Sequence, residues 1–340
     1  MRLRTLHITL IPFMFFSYAA LVNIMLLFPN ASGRAALDWT ESSLRSSINQ
    51  LYSDQPLHSN FAQAVLGAAR YATLREGRVG VVVGPNGWLL SDEEFRPPLP
   101  PVQSQKLRGE ILSLAQQLRN EGTQVIVLLL PTKAQSLRLG QNDDLLSEKN
   151  SLIRELHSAG VATLDAAPAL TGPAHFFRTD THWTPLGARS VADYLADTFP
   201  TLSGAAAVDK EAGASEAFAG DLIPFITTEA FAPLIGLPPE VASSPRVQIS
   251  SAQTLDLFAD PEAAHALVGT SYSANRRWGF EDALKLALSH DVLNFATVGQ
   301  GPIAPMRAYL ERAGRATSGV VIWEIPIRYL TDPNLVGSAS

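Results

Sequence analysis

Residues 124–130 read QVIVLLL, and Pro131 closes the run. This is a continuous apolar strand with no polar alternation, the pattern of a strand covered on both faces. Outward from it, the periods alternate. Residues 105–120 place Leu107, Ile111, Leu114 and Leu118 on one helical face. Residues 144–159 read as a helix and 161–164 as a strand. Residues 185–199 are helical, 264–268 extended, 281–289 helical, 292–297 extended, 305–313 helical and 319–325 extended. Short apolar strands alternating with helices give a parallel sheet covered by helices on both faces, an α/β fold. Ahead of it, residues 79–83 and 88–90 read as two strands about the turn Gly84-Pro85-Asn86-Gly87. Residues 96–101 (RPPLPP) form a stiff connection. Residues 200–255, rich in Ala, Gly, Ser and Pro, break the rhythm and read as an insertion or long loop at one edge.

Open α/β sheets carry their chemistry beyond the carboxyl ends of the strands, and two motifs follow strands. In Thr179-Asp180-Thr181-His182-Trp183-Thr184-Pro185, an aspartate and a histidine two apart on an extended segment point the same way. Asp180 can then hold one ring nitrogen of His182 and leave the other free to take a proton. Pro185 suits the first turn of the following helix. In Ala266-Leu267-Val268-Gly269-Thr270-Ser271, a buried strand runs through a glycine into a serine, as a nucleophile is presented. Each motif alone also reads as ordinary structure: Asp180 or Thr184 capping a helix, Ser271 capping the next segment. Together they read as chemistry, because a serine hydroxyl needs an adjacent base. Of the seven histidines (His7, His58, His157, His175, His182, His265 and His290), only His182 has a near acidic partner in a loop. A zinc site from His175, Asp180 and His182 is the alternative, without a further spaced ligand to support it.

Residues 177–188, FRTDTHWTPLGA, resemble the signature of the alginate O-acetyltransferase family (AlgJ/AlgX-like), whose members have an SGNH-hydrolase-like domain. Residues 268–273, VGTSYS, resemble that family's nucleophile block. Residues 83–95, Leu130-Pro131-Thr132-Lys133 and residues 320–330 are similar to it less specifically. The resemblance implies Ser271 as nucleophile, His182 as general base and Asp180 as its orienting partner, with no cofactor and no metal. It also implies acetylation of an exopolysaccharide in the periplasm, with a membrane-bound acyltransferase supplying the acetyl group. A carbohydrate acetyl esterase and a non-catalytic polysaccharide-binding scaffold are the alternatives. For the oxyanion, the Ser271 N–H and the turn at Gly299 or Gly301 are candidates, though that turn also serves as an ordinary connection. Arg276, Arg277 and Trp278 are candidates for holding a sugar, or a solvated positive face. Trp183 reads as a packing residue.

Composition bounds the rest. The 340 residues are 46% hydrophobic, with a formal net charge of −6 and no cysteine. Disulfides, thiolate zinc sites and cysteine nucleophiles are thereby excluded. Beyond residue 33 there are 24 basic against 32 acidic residues, which argues against nucleic acid as a partner. Residues 7–28 carry no Asp, Glu, Lys or Arg, and Arg2 and Arg4 precede them. That pattern predicts a single-pass inner-membrane anchor with the body in the periplasm; a cleaved signal, cut near Ala31-Ser32-Gly33, is the alternative. The expected organisation is a cytoplasmic tip and transmembrane signal anchor over 1–33, a helical stalk over 34–77, and an SGNH-hydrolase-like acyltransferase domain over 78–335 with an insertion at about 200–255.

Overall fold

The computed structural model describes residues 16–18, 56–250, 264–312 and 319–336. The chain divides into two units, Met1–Leu66 and Gly67–Ser340. In the first, residues 16–18 are helical and exposed. Helix α1, Pro56–Leu74, begins there and ends in the second unit. The rest of the predicted anchor over 1–33, and residues 34–55 of the predicted stalk, lie outside the described residues. The expected inner-membrane, single-pass placement is corrected: no helix among the described residues is long and apolar enough to cross a membrane. A span needs about 20 mostly apolar residues, and α1, at 19 residues, includes His58, Asn60, Gln63 and Arg70.

The second unit opens with an antiparallel pair, β1 (Val81–Val83) and β2 (Leu89–Ser91), in register Val82↔Leu90. The chain then runs through α2 (Pro101–Asn120), β3 (Gln124–Leu130), the one-turn α3 (Lys133–Ser136), α4 (Asp143–Ser158), β4 (Ala162–Asp165) and α5 (Pro185–Thr198). Pro101 and Pro185 each stand in the first turn of a helix, where a missing N–H costs nothing. The stretch between 200 and 250 holds two small antiparallel pairs: β5 (Ala207–Glu211) with β8 (Arg246–Ser250), and β6 (Glu216–Phe218) with β7 (Glu240–Ala242). Then follow β9 (His265–Val268), α6 (Ser271–Ala274), α7 (Phe280–Leu288), β10 (Val292–Asn294), α8 (Ile303–Leu310) and β11 (Val320–Pro326).

Five strands form one parallel sheet in the order β10-β9-β11-β3-β4. Alternation along β3 splits the core as the period of two requires. Ile126, Leu128 and Leu130 face Val191 and Leu195 of α5 and Phe280 and Leu284 of α7. Val125, Val127 and Leu129 face Ile111 of α2, Leu152 of α4 and Met306 of α8. A third cluster joins Tyr71, Val81 and Leu89 to Leu222, Ile223 and Leu237. It ties the stretch read as an insertion to the β1–β2 hairpin. The same stretch reaches the loop before α5, where Glu240 bonds Thr179 and Asp221 bonds Thr181.

Candidate active site

Residues 176–183 leave the β4 side of the sheet as a tight loop. Phe176 and Trp183 form an antiparallel bridge, and the Phe177 N–H donates to the His182 carbonyl at 3.2 Å. The loop is bent where an extended segment was expected. Asp180 and His182 still meet, because Asp180 Oδ1 accepts both the His182 backbone N–H (2.9 Å) and Nδ1–H (2.7 Å). An aspartate that bonds the backbone two residues on is a turn device. Here the same oxygen fixes the ring tautomer.

His182 Nε2 then lies 2.7 Å from Ser271 Oγ, across 89 positions of sequence. Asp180 and His182 are buried and Ser271 is half-buried. Ser271 is the first residue of α6, and Thr270 caps that helix by accepting the Tyr272 N–H. The turn before it is held by Glu324, from the adjacent strand β11. The Glu324 carboxylate accepts Thr270 N–H (2.7 Å), Thr270 Oγ1–H (3.0 Å) and Ser273 Oγ–H (3.0 Å). Any side chain at position 269 would overlap that carboxylate, so Gly269 is needed for the close approach of Glu324. Burial raises the Glu324 pKa, against the lowering effect of these bonds.

The His182 ring is sandwiched. Trp278 stacks on it (centroids 4.4 Å apart, planes 21° apart) and donates its Nε1–H to the Ser271 carbonyl at 3.1 Å. Tyr272 lies 4.8 Å away on a tilted plane, and its hydroxyl donates to the Thr181 carbonyl at 2.8 Å. Trp278, expected as a sugar-holding residue, is a buried buttress for the base. Trp183 is fully buried against Tyr272 and Phe280, the packing role expected of it.

Three residues hold the loop from outside: Lys133, quoted in a family-like stretch but given no role, and Glu240 and Asp221, which the sequence did not single out. Lys133, just past β3, is buried and donates to the carbonyls of Leu89 (2.6 Å), Arg178 (3.1 Å) and Asp180 (2.9 Å). Burial pulls its pKa down to about 8, although Glu94 and Asp180 oppose the fall. Glu240 accepts the Thr179 N–H at 2.6 Å and hydroxyl at 2.7 Å. Asp221 accepts the Thr181 N–H (2.6 Å) and hydroxyl (3.0 Å), and its own N–H donates to Asp180 Oδ2 at 2.9 Å. Burial alone raises the Asp180 pKa, but the His182 bond, the His182 charge and these backbone donors together hold it below the ordinary value.

The remaining candidates are placed as follows. Arg277 hydrogen-bonds Glu216 at 2.7 Å and lies 4.3 Å over the Phe218 ring, while Arg276 is exposed. Gly299 is exposed at φ +76°, and Gly301, at φ +62°, packs against Leu335 and Tyr329. His175 bonds the Thr171 carbonyl at 2.8 Å and is not part of the group formed by Asp180, His182 and Asp221, whose donor atoms lie within 4.8 Å of one another. Within that group the Asp180–His182 bond occupies the two atoms an ion would need to separate. The arrangement suits relay of a proton from a serine hydroxyl.

The family profile described as SGNH hydrolase-like domain, acetyltransferase AlgX matches residues 81–327. The chain is 37% identical over 296 residues to the probable alginate O-acetylase AlgJ of Pseudomonas fluorescens, covering 80% of this chain and 74% of that one. It is 34% identical over 288 residues to that of Pseudomonas aeruginosa, covering 77% and 73%. Among solved structures, the O-acetyltransferase domain of Pseudomonas putida AlgJ superposes with a TM-score of 0.61 at 33% identity, over 76% of this chain and 98% of that one. With an SGNH-hydrolase-like parallel sheet and this match across most of its length, the chain belongs to the AlgX family of SGNH hydrolase-like acetyltransferase domains.

Proposed function

We propose that this protein transfers acetyl groups to hydroxyls of an exopolysaccharide through an acetyl-serine intermediate, with Ser271 as nucleophile, His182 as general base and Asp180 as its orienting carboxylate. The observation that carries this reading is the unbroken series Ser271 Oγ–His182 Nε2–His182 Nδ1–Asp180 Oδ1, with both hydrogen bonds at 2.7 Å. Relatives named alginate O-acetylases support the substrate class.

His182 takes the Ser271 proton as Oγ attacks the acetyl carbonyl, and returns it to the departing donor oxygen. A sugar hydroxyl then gives its proton to His182 and attacks the acetyl-serine. Ser271 leaves and recovers the proton. The developing oxyanion faces the Ser271 N–H, which at the first position of α6 has no intrahelical acceptor. Gly299 or Gly301 supplies a second N–H in this scheme. Arg277 is the acceptor-side candidate: half-buried in the loop after α6, its guanidinium is held by Glu216 at 2.7 Å. Arg276 is the solvent-facing second cation. A membrane-bound acyltransferase is the proposed source of the acetyl group.

The test uses an artificial acetyl ester with oligosaccharides and mass spectrometry. The wild-type chain gains one acetyl group at Ser271 and passes it to the sugar. Ser271→Ala does neither. Acetylated sugar from that variant at the wild-type rate rejects the reading, and release of acetate alone from the wild type makes the protein an esterase.

A further inference from the structure

The stretch between β5 and β8 contributes a second carboxylate to the base. Asp221 Oδ2 stands 3.6 Å from His182 Nδ1, the nitrogen that Asp180 holds. That is too long for a direct hydrogen bond, yet short for a charge interaction in a partly desolvated site. Four features keep it there. Asp221 Oδ1 is tied to the Thr181 N–H and hydroxyl. Its backbone N–H is tied to Asp180 Oδ2. Gly220 lies so close to the Thr179 carbonyl that a side chain would overlap it, so the segment has little freedom to withdraw. Leu222 and Ile223, next in sequence, are buried in the cluster shared with the β1–β2 hairpin.

We propose that Asp221 is a positioning residue for the acetyl-transfer reaction, its negative charge stabilising the His182 imidazolium alongside Asp180. This rests on the Ser271–His182–Asp180 reading. The division of labour is geometric. Asp180 spends one oxygen on the base and one on the Asp221 backbone. Asp221 spends one on the loop and leaves the other facing Nδ1, with 43% of its side chain exposed. Loss of hydration, then the Asp180 charge, raise the Asp221 pKa, as for two carboxylates sharing one site. The other ionisable groups near this loop are Tyr272 from α6, Lys133 from the β3 exit, Arg277 from the loop after α6, Glu240 on the Thr179 N–H and Glu94 beside Lys133. Arg328 reaches it through the Tyr272 hydroxyl. Among the described residues only the Asp180 and Asp221 carboxylates come within 4.0 Å of Nδ1, Glu94 and Glu240 being held on the Ala134 and Thr179 N–H groups, so the charge of Asp221 is the one whose removal the base should register.

The experiment measures kcat and KM for acetyl transfer from 4-nitrophenyl acetate to an oligosaccharide across the acid limb, on the full chain, with Ser271→Ala as control. Asp221→Asn keeps an oxygen for the Thr181 N–H and replaces the charged Oδ2 facing Nδ1 by a neutral amide NH2. The expected result is a fall in kcat of about tenfold, with KM unchanged and the acid limb moved to lower pH. Asp221→Glu, which keeps the charge, stays within about threefold of wild type. A merely structural role predicts wild-type kcat and an unmoved acid limb for Asp221→Asn, with loss only in Asp221→Ala, and that outcome overturns the proposal. If Asp221→Asn is not recovered folded, a tenfold loss in Asp221→Glu with an unmoved acid limb overturns it equally. Activity surviving in Ser271→Ala instead rejects the underlying triad.

Discussion

The two halves of the candidate active site are held by different kinds of structure. The nucleophile turn, residues 269–274, sits between a short strand and a one-turn helix, and one carboxylate on the neighbouring strand anchors it. The base loop, residues 176–184, is gathered from far apart: Lys133 beyond β3, Asp221 and Glu240 from the 200–250 stretch, and Tyr272 from the nucleophile helix itself. A turn at a strand's end inherits its position from the sheet. A loop of this kind has no such support, and its backbone polar groups need partners brought by tertiary packing. The Ser271 oxygen is therefore placed by a strand-end turn and one carboxylate of the adjacent strand, and the His182 nitrogen by polar contacts from several separate segments.

This contrast is open to direct attack. Glu324→Ala leaves the Thr270 and Ser273 donors unsatisfied in a fully buried site. It should cost about 3 kcal/mol in denaturant unfolding and slow acetylation of Ser271, while the His182–Asp180 pair stays intact. If unfolding is unchanged, the nucleophile turn does not depend on its one carboxylate. Lys133→Met should act on the other half: release of three carbonyls loosens the base loop and lowers kcat about a hundredfold, the scale of a 1 Å misplacement.

Wild-type Lys133 also gives this half a pH signature. Its folded pKa, about 8, lies below the ordinary lysine value of 10.5. The unfolded chain therefore binds the extra proton between those values, and this group's contribution to stability rises with pH across that window, by roughly 3 kcal/mol at most. Activity moves the other way, because a neutral amine has two N–H groups for three carbonyls. A pH–rate profile should show an alkaline limb near 8 that Lys133→Met lacks; an identical limb in both would remove Lys133 from the account. The smallest effect is expected at the rim. Arg277→Ala should raise KM for the oligosaccharide about threefold with kcat unchanged, and Arg276→Ala should change less. A fall in kcat in Arg277→Ala would move that residue into the base-holding half.

These differences follow the division between what was legible and what was not. Gly269, Ser271, Asp180 and His182 stood out because each motif is contiguous and follows a strand. Glu324 carried a signal that went unread: one carboxylate within the otherwise apolar VVIWEIP. Lys133 carried a weaker one, as a charge directly beyond a buried strand. Asp221 carried none, since nothing in the Ala- and Gly-rich composition around it distinguishes one acidic residue from another.

The order of apolar runs and turns by itself determined the parallel α/β sheet, and it singled out Ser271, His182 and Asp180 as candidates for a proton relay. Periodicity and local turn chemistry act between near neighbours, and those are written directly into the chain. The tertiary structure alone decided that the irregular stretch closes over the base loop, that Trp278 supports an imidazole, and that Asp221 faces His182. Contacts between segments far apart in sequence depend on how whole faces pack, and no local pattern records which polar atoms that packing brings together.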